Sequence, residues 1–137
     1  MSPSGELPSR SNDVAGRSPQ QKEFEIEFFG RILARYPEHL DVLRRQTRLL
    51  TNAGMREAGL ACDRRLASVR PYDPQVRYHL ACSLAAVGEI NEALQALQIA
   101  IDLGFRDFEH LEADPDLDSL RDHPRFRALL RIQGMKS

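Results

Sequence analysis

The chain is 137 residues long, enough for one domain, and its 42% hydrophobic and 28% charged residues are the balance of an ordinary globular fold. Nineteen basic residues against twenty acidic ones leave a net charge of −1, which argues against a globally basic nucleic-acid binder and a polyacidic disordered chain. Two cysteines, Cys62 and Cys82, are too few for a disulfide scaffold or a four-cysteine zinc site, and no stretch approaches the roughly 18 apolar residues of a membrane span.

Residues 1–17, MSPSGELPSRSNDVAGR, lack the apolar run of a secretory signal. Rich in Ser, Pro and Gly, they read as a disordered tail, and the chain as cytoplasmic with reduced thiols. Ser18-Pro19-Gln20-Gln21 then has the layout of a capping box, and Phe24, Phe28, Phe29, Ile32, Leu33 and Tyr36 follow at helical spacing until Pro37. A second helix carries Leu40, Val42, Leu43, Leu49 and Leu50 and stops at Gly54, where a left-handed residue suits a helix end. A third runs from about Met55 to Val69, closed by Pro71. Asp73-Pro74 supplies a cap and a first-turn proline for a fourth, with Val76, Leu80, Leu84 and Val87, ending at Gly88. The fifth carries Ile90, Leu94, Leu97 and Ile101 up to Gly104. No segment alternates apolar and polar residues between hairpin turns, so the predicted fold class is all-α.

The breakers repeat. Gly54 and Gly88 are 34 residues apart, as are Pro37 and Pro71, and 34 beyond Pro71 lies Phe105. Two breaker types sharing one period, with helices between, predict a repeated helical hairpin. After Gly104 the chain changes character. Asp107, Asp114-Pro115 and Asp122-His123-Pro124 are further cap signals, and Leu117, Leu120, Phe126, Leu129 and Leu130 are expected to close the open end of the stack by packing on the fifth helix. Asp114, Asp116, Asp118 and Asp122 are expected to stay in water.

This period resembles that of the tetratricopeptide repeat family. In residues 74–105, Leu80-Ala81 stand at the family's Leu-Gly site and Leu84 at its aromatic site. Gly88 takes the turn, Ala93 the small site, Leu97 the bulky site, Ala100 the second Ala and Phe105 the Pro. The earlier unit keeps Leu43, Leu50, Gly54, Gly59 and Pro71 but has Gln46-Thr47 at the Leu-Gly site and Asp63 at the bulky site. The block DPDLDSLRDHPRFRALL is similar to the closing segment of bacterial repeats of this type. The resemblance implies an α-α superhelix. It would comprise an orphan helix at 19–36, repeats at 38–71 and 73–104, and a capping segment over 106–137.

Candidate chemistry is sparse. His79 and Cys82 share a helix face, but no third ligand stands at zinc spacing, and no metal or cofactor is expected. The acidic run at Asp114, Asp116 and Asp118 lacks the glycine and final glutamate of a calcium loop. No nucleophile elbow or phosphate-binding loop occurs, so the chain reads as no enzyme. Charge is polarised instead: seven arginines against three acids leave residues 41–70 at +4, and seven acids against two arginines leave 106–122 at −5. Lysine is scarce and aromatic interleaving thin, against nucleic acid as partner.

In the family the first helix of each unit lines a concave groove. The resemblance thus implies a groove bearing Arg44, Arg45 and Arg48 from one unit and Gln75, Tyr78, His79 and Cys82 from the next, Tyr78 as an aromatic wall. Carboxylate-clamp members carry Lys and Asn where this chain has Arg44, Arg48 and His79, so that specific activity is not implied. The expected function is a non-catalytic adaptor whose arginine face takes a peptide or protein partner of acidic character. Two other readings stay open. One is self-association as a homodimer through Phe24, Phe28, Phe29 and Ile32, which have no preceding helix to cover them. The other is a regulatory subunit of a larger enzyme or assembly.

Overall fold

The computed structural model describes residues 18–136, with side chains described to Arg131. The expectation of a disordered tail concerns residues 1–17 and lies outside the described residues. The chain is all-α: among the described residues there is no strand, and no helix is long and apolar enough to cross a membrane. In chain order the elements are α1 (Pro19–Arg35), α2 (Leu40–Asn52), α3 (Arg56–Val69), α4 (Pro74–Ala86), α5 (Ile90–Asp102) and α6 (Phe108–Ala113). A 3-10 helix (Pro115–Leu120) and α7 (Pro124–Lys136) complete the chain.

Each boundary has a local cause. Ser18 Oγ accepts the Gln21 amide at 3.1 Å, one half of the expected capping box. The return bond from the Gln21 side chain is not made among the described residues. Asp73 caps α4 by accepting from the amides of Gln75 and Val76 at 2.9 and 3.3 Å. A cap the sequence did not suggest is His39, whose Nδ1 accepts the Val42 amide at 3.3 Å and opens α2.

The first helix of each hairpin ends on a left-handed glycine, Gly54 (φ 78°) and Gly88 (φ 87°). The amides that follow reach back over the last turn, Met55 to the Leu50 carbonyl and Glu89 to that of Leu84, each at 2.9 Å. No neighbouring atom stands within 4 Å of a Cβ at Gly88, so the cost of Gly88→Ala is that of the backbone alone. We expect Gly88→Ala to lose about 1–2 kcal/mol and to lower the thermal midpoint by several degrees while the fold, read by circular dichroism, is kept.

Helices pack on their chain neighbours: α2 with α3 and α4 with α5 as hairpins, α3 with α4 between them, and α1 on α2. Small residues permit the close approach. A Cβ at Gly59 would meet Thr51 Oγ1 at 3.1 Å, and Ala93, 34 residues later, is fully buried in the second hairpin. The buried core runs from Leu33 and Leu43 through Leu84, Leu94 and Leu97 to Leu117, Leu120 and Phe126, with Leu129 and Leu130 packed at its edge. Arg64 and Glu92 join α3 to α5 through a forked pair at 2.6 and 3.1 Å; both side chains are solvated, so it adds little stability.

The carboxy-terminal segment closes the stack only partly where expected: α7, with Phe126, Leu129 and Leu130, packs on α5. The 3-10 helix lies chiefly against α4 and only secondarily against α5. Arg121 staples the segment, donating to the carbonyls of Glu112 and Asp114. Asp114 does not stay in water. It is 7% exposed and accepts from the Tyr78 hydroxyl at 2.5 Å. Burial there is tolerated because Asp114 also caps the 3-10 helix through the Asp116 amide at 2.9 Å and meets His110 Nε2 at 3.3 Å.

Candidate functional site: a groove between the hairpins

A cavity of about 470 Å³ opens between α2 and α4, floored by α3. Arg44, Thr47, Arg48, Thr51 and Asn52 form the α2 wall; Gln75, Val76, His79, Cys82 and Ser83 form the α4 wall; Asp63 and Leu66 come from α3 and Asp116 from the 3-10 helix. The α2 residues gather because 44, 48 and 51 fall one turn apart on one helix face. The same spacing at 75, 79 and 82 aims α4 back at them.

Five of the seven groove residues expected from the sequence meet here: Arg44, Arg48, Gln75, His79 and Cys82. Two do not. Arg45 points round the helix from its neighbours, and its guanidinium sits over the Phe29 ring at 5.7 Å, toward α1. Tyr78 offers no exposed aromatic wall: it is 2% exposed, stacked on Phe105 at 4.4 Å between centroids and 6° between planes. The reason is the carboxy-terminal segment, which covers the face of α4 that an open repeat stack would leave free.

The apolar face expected on α1 is also divided. Phe29 and Ile32 pack partly buried against the core, whereas Phe24 and Phe28 stand 60% and 43% exposed. Their rings stack at 6.0 Å between centroids.

The arginines of the groove differ in their partners. Arg44 is held by Asp73, Nη2 to Oδ2 at 3.4 Å. Arg48 makes no ion pair or hydrogen bond with any described residue, so its fork is available. His79 has an open edge, yet the protein packed around its ring pushes its pKa below the usual 6.5, and the charges of Arg48 and Arg44 add to the push. At neutral pH it is an uncharged imidazole that can donate one hydrogen bond and accept another.

Sequence reasoning missed the floor. Asp63 is 2% exposed; its Oδ2 accepts from the Ser83 hydroxyl, while Oδ1 has no hydrogen-bond partner among the described residues. The neighbouring Thr47 Oγ1 is buried and likewise unmatched. Burial pushes the Asp63 carboxyl up to about 6, with the nearby hydroxyls of Ser83 and Thr47 pulling the other way. The signal was visible as an acid on the apolar face between Leu60 and Leu66, where helical spacing calls for an apolar side chain.

Ligand atoms of Cys82, Asp114 and Asp116 lie within 4.8 Å of one another. Hydrogen bonds account for this grouping. The Cys82 thiol sits 3.8 Å from Asp114 Oδ2, and burial, reinforced by the charges of Asp114 and Asp116, pushes its pKa upward. At neutral pH it is a protonated donor. Both Asp114 oxygens are already engaged, Oδ1 by the Asp116 amide and Oδ2 by Tyr78 and His110.

No protein-family model matches the chain. Over 54 residues it is 35% identical to a chloroplastic protein of Arabidopsis thaliana, a segment that makes up 39% of this chain and 16% of that protein's length. No solved structure matches.

Proposed function

We propose that this chain is a non-catalytic protein-interaction module of the tetratricopeptide-repeat type, an adaptor that takes an acidic peptide segment in the groove between α2 and α4. The reading is supported by two hairpins repeating at 34 residues, with glycine at each turn and Gly59 and Ala93 at equivalent crossings. The observation that carries it is Arg48, a guanidinium without an intramolecular partner among the described residues, on the open wall of a groove of about 470 Å³. A planar guanidinium binds carboxylate through two parallel hydrogen bonds and keeps its charge at every physiological pH. Arg44, tethered by Asp73, is oriented in advance and adds positive potential beside it. Asn52 and Gln75 supply amide donors and acceptors for a peptide backbone. Cys62 and Cys82, buried and unpaired, suit a reducing compartment, and we place the module in the cytoplasm.

Fluorescence anisotropy with labelled Glu- and Asp-rich peptides tests this reading. Wild-type binding is expected to weaken steeply with added salt. Arg48→Glu should lower affinity by about tenfold or more, while Arg45→Glu, whose side chain faces α1, should change it by less than about twofold. Equal binding by wild type and Arg48→Glu, or no binding of any acidic peptide, rejects the groove.

A further inference from the structure

We propose that the outer face of α1 is a self-association surface on which a second copy of this chain packs antiparallel, about a two-fold axis beside Phe28. No residue of α1 lines the groove, so this surface stands independently of the peptide reading.

The observations begin with what α1 does with its apolar residues. Leu33 is buried, and Phe29 and Ile32 turn toward the core. Phe24 and Phe28 face away, one turn apart, and their rings stack on each other with an interplanar angle of 11°. Two large aromatic side chains held together in water form a rigid apolar plate, unfavourable to leave exposed and already ordered for binding.

The flanking charges identify the occupant. Glu23, Glu27, Arg31 and Arg35 form an i, i+4 row one residue round from Phe24, Phe28 and Ile32. The row is acidic at its amino-terminal end and basic at its carboxy-terminal end. None of the four makes an ion pair with another described residue; Arg35 only leans over the Tyr36 ring. Laid against itself in parallel, the row sets like charges face to face. Laid antiparallel, it puts Glu27 opposite the partner's Arg31 and Glu23 opposite the partner's Arg35. Both pairings satisfy one two-fold axis, level with residue 29, which also brings the Phe28 rings of the two copies together. A surface complementary to its own rotated copy is what an isologous interface requires.

Residues 1–17 are a poor alternative cover, since their large apolar side chains are only Met1, Leu7 and Val14. One pair of crossing helices is a small interface, so the dissociation constant should be on the order of 10 µM.

Sedimentation velocity of the full chain between low micromolar and a few hundred micromolar reads the result. Wild type should shift from monomer to dimer across that range, and Phe28→Asp, at an exposed position, should stay monomeric with unchanged circular dichroism. Glu27→Arg alone and Arg31→Glu alone should each weaken the dimer by about tenfold or more by placing like charges opposite one another. Mixing those two variants should restore association, because each supplies the charge the other now needs. A wild type that is monomeric throughout overturns the proposal, whether another segment or another protein covers the face. So does a dimer that survives Phe28→Asp, or a mixture that associates no better than its components.

Discussion

Asp114→Ala is expected to cost about 3 kcal/mol of folding stability, the sum of an abandoned buried hydroxyl and a lost helix cap. The carboxylate joins three parts of the chain. It accepts from Tyr78 on α4 at 2.5 Å, faces His110 on α6 at 3.3 Å, and caps its own 3-10 helix at the Asp116 amide. Removing it leaves the Tyr78 hydroxyl buried under Phe105 with no acceptor. That hydroxyl cannot escape the penalty by ionising, because its burial, which outlasts the carboxylate, pushes its pKa upward. Tyr78→Phe, which deletes the donor and keeps the stacked ring, should cost only about 1 kcal/mol. In the double variant the orphaned hydroxyl is gone, so its loss should fall short of the two single losses combined by roughly 1 kcal/mol or more. Urea denaturation measures all three. Hydrogen exchange in Asp114→Ala should rise first in residues 107–126 and later in α2 and α3. A loss below about 1 kcal/mol, or uniform exchange, would mean that the closing segment is held by Leu117, Leu120 and Phe126 alone.

That network also marks the limit of what one-dimensional pattern could reveal. Helix ends were legible because Ser18, Pro37, Gly54, Asp73, Gly88 and Gly104 act on their own backbone within a turn, and the expected helix at 19–36 is observed at Pro19–Arg35. The all-α class followed from the same signals. The groove was partly legible, since residues at i and i+4 share a face whatever lies beyond it; Arg44, Arg48, Gln75, His79 and Cys82 meet as their spacing requires. What covers a face is a matter of distant contacts. Tyr78 and Asp114 are 36 residues apart, and nothing in either neighbourhood announces the other. Asp114-Pro115 read as a solvated cap because a cap and a buried acceptor have the same sequence signature. Arg45 likewise fits a groove face until α1 supplies Phe29 beneath it.

Asp63 should make the protein more stable in mild acid than at neutrality, the reverse of the usual behaviour of a paired surface carboxylate. Its folded-state pKa of about 6 lies above the 3.8 of a free aspartate, so between those values the native state holds a proton that the unfolded chain releases. Protonation therefore favours folding. The contribution is full below about pH 3.8 and lost as the pH rises through 6, an effect on the order of 2–3 kcal/mol for this one group. Asp116, whose carboxyl burial also pushes upward, acts in the same direction; His79, held below 6.5 by burial and the neighbouring arginines, opposes it across the same window, and Glu92, held low by Arg64, opposes it weakly from a solvated position. Asp63→Asn should raise stability at pH 7 by about 1–2 kcal/mol. The side-chain carbonyl can still accept from Ser83, and the new amide can donate to Thr47 Oγ1, a buried atom that now lacks a partner among the described residues. Urea midpoints at about pH 5, 6 and 7 decide the matter: wild type should lose stability across the series relative to Asp63→Asn, which should hold level or gain as His79 loses its proton. A wild type whose stability rises across that series in parallel with Asp63→Asn would show that Asp63 ionises normally and that the groove floor is wetter than its burial implies.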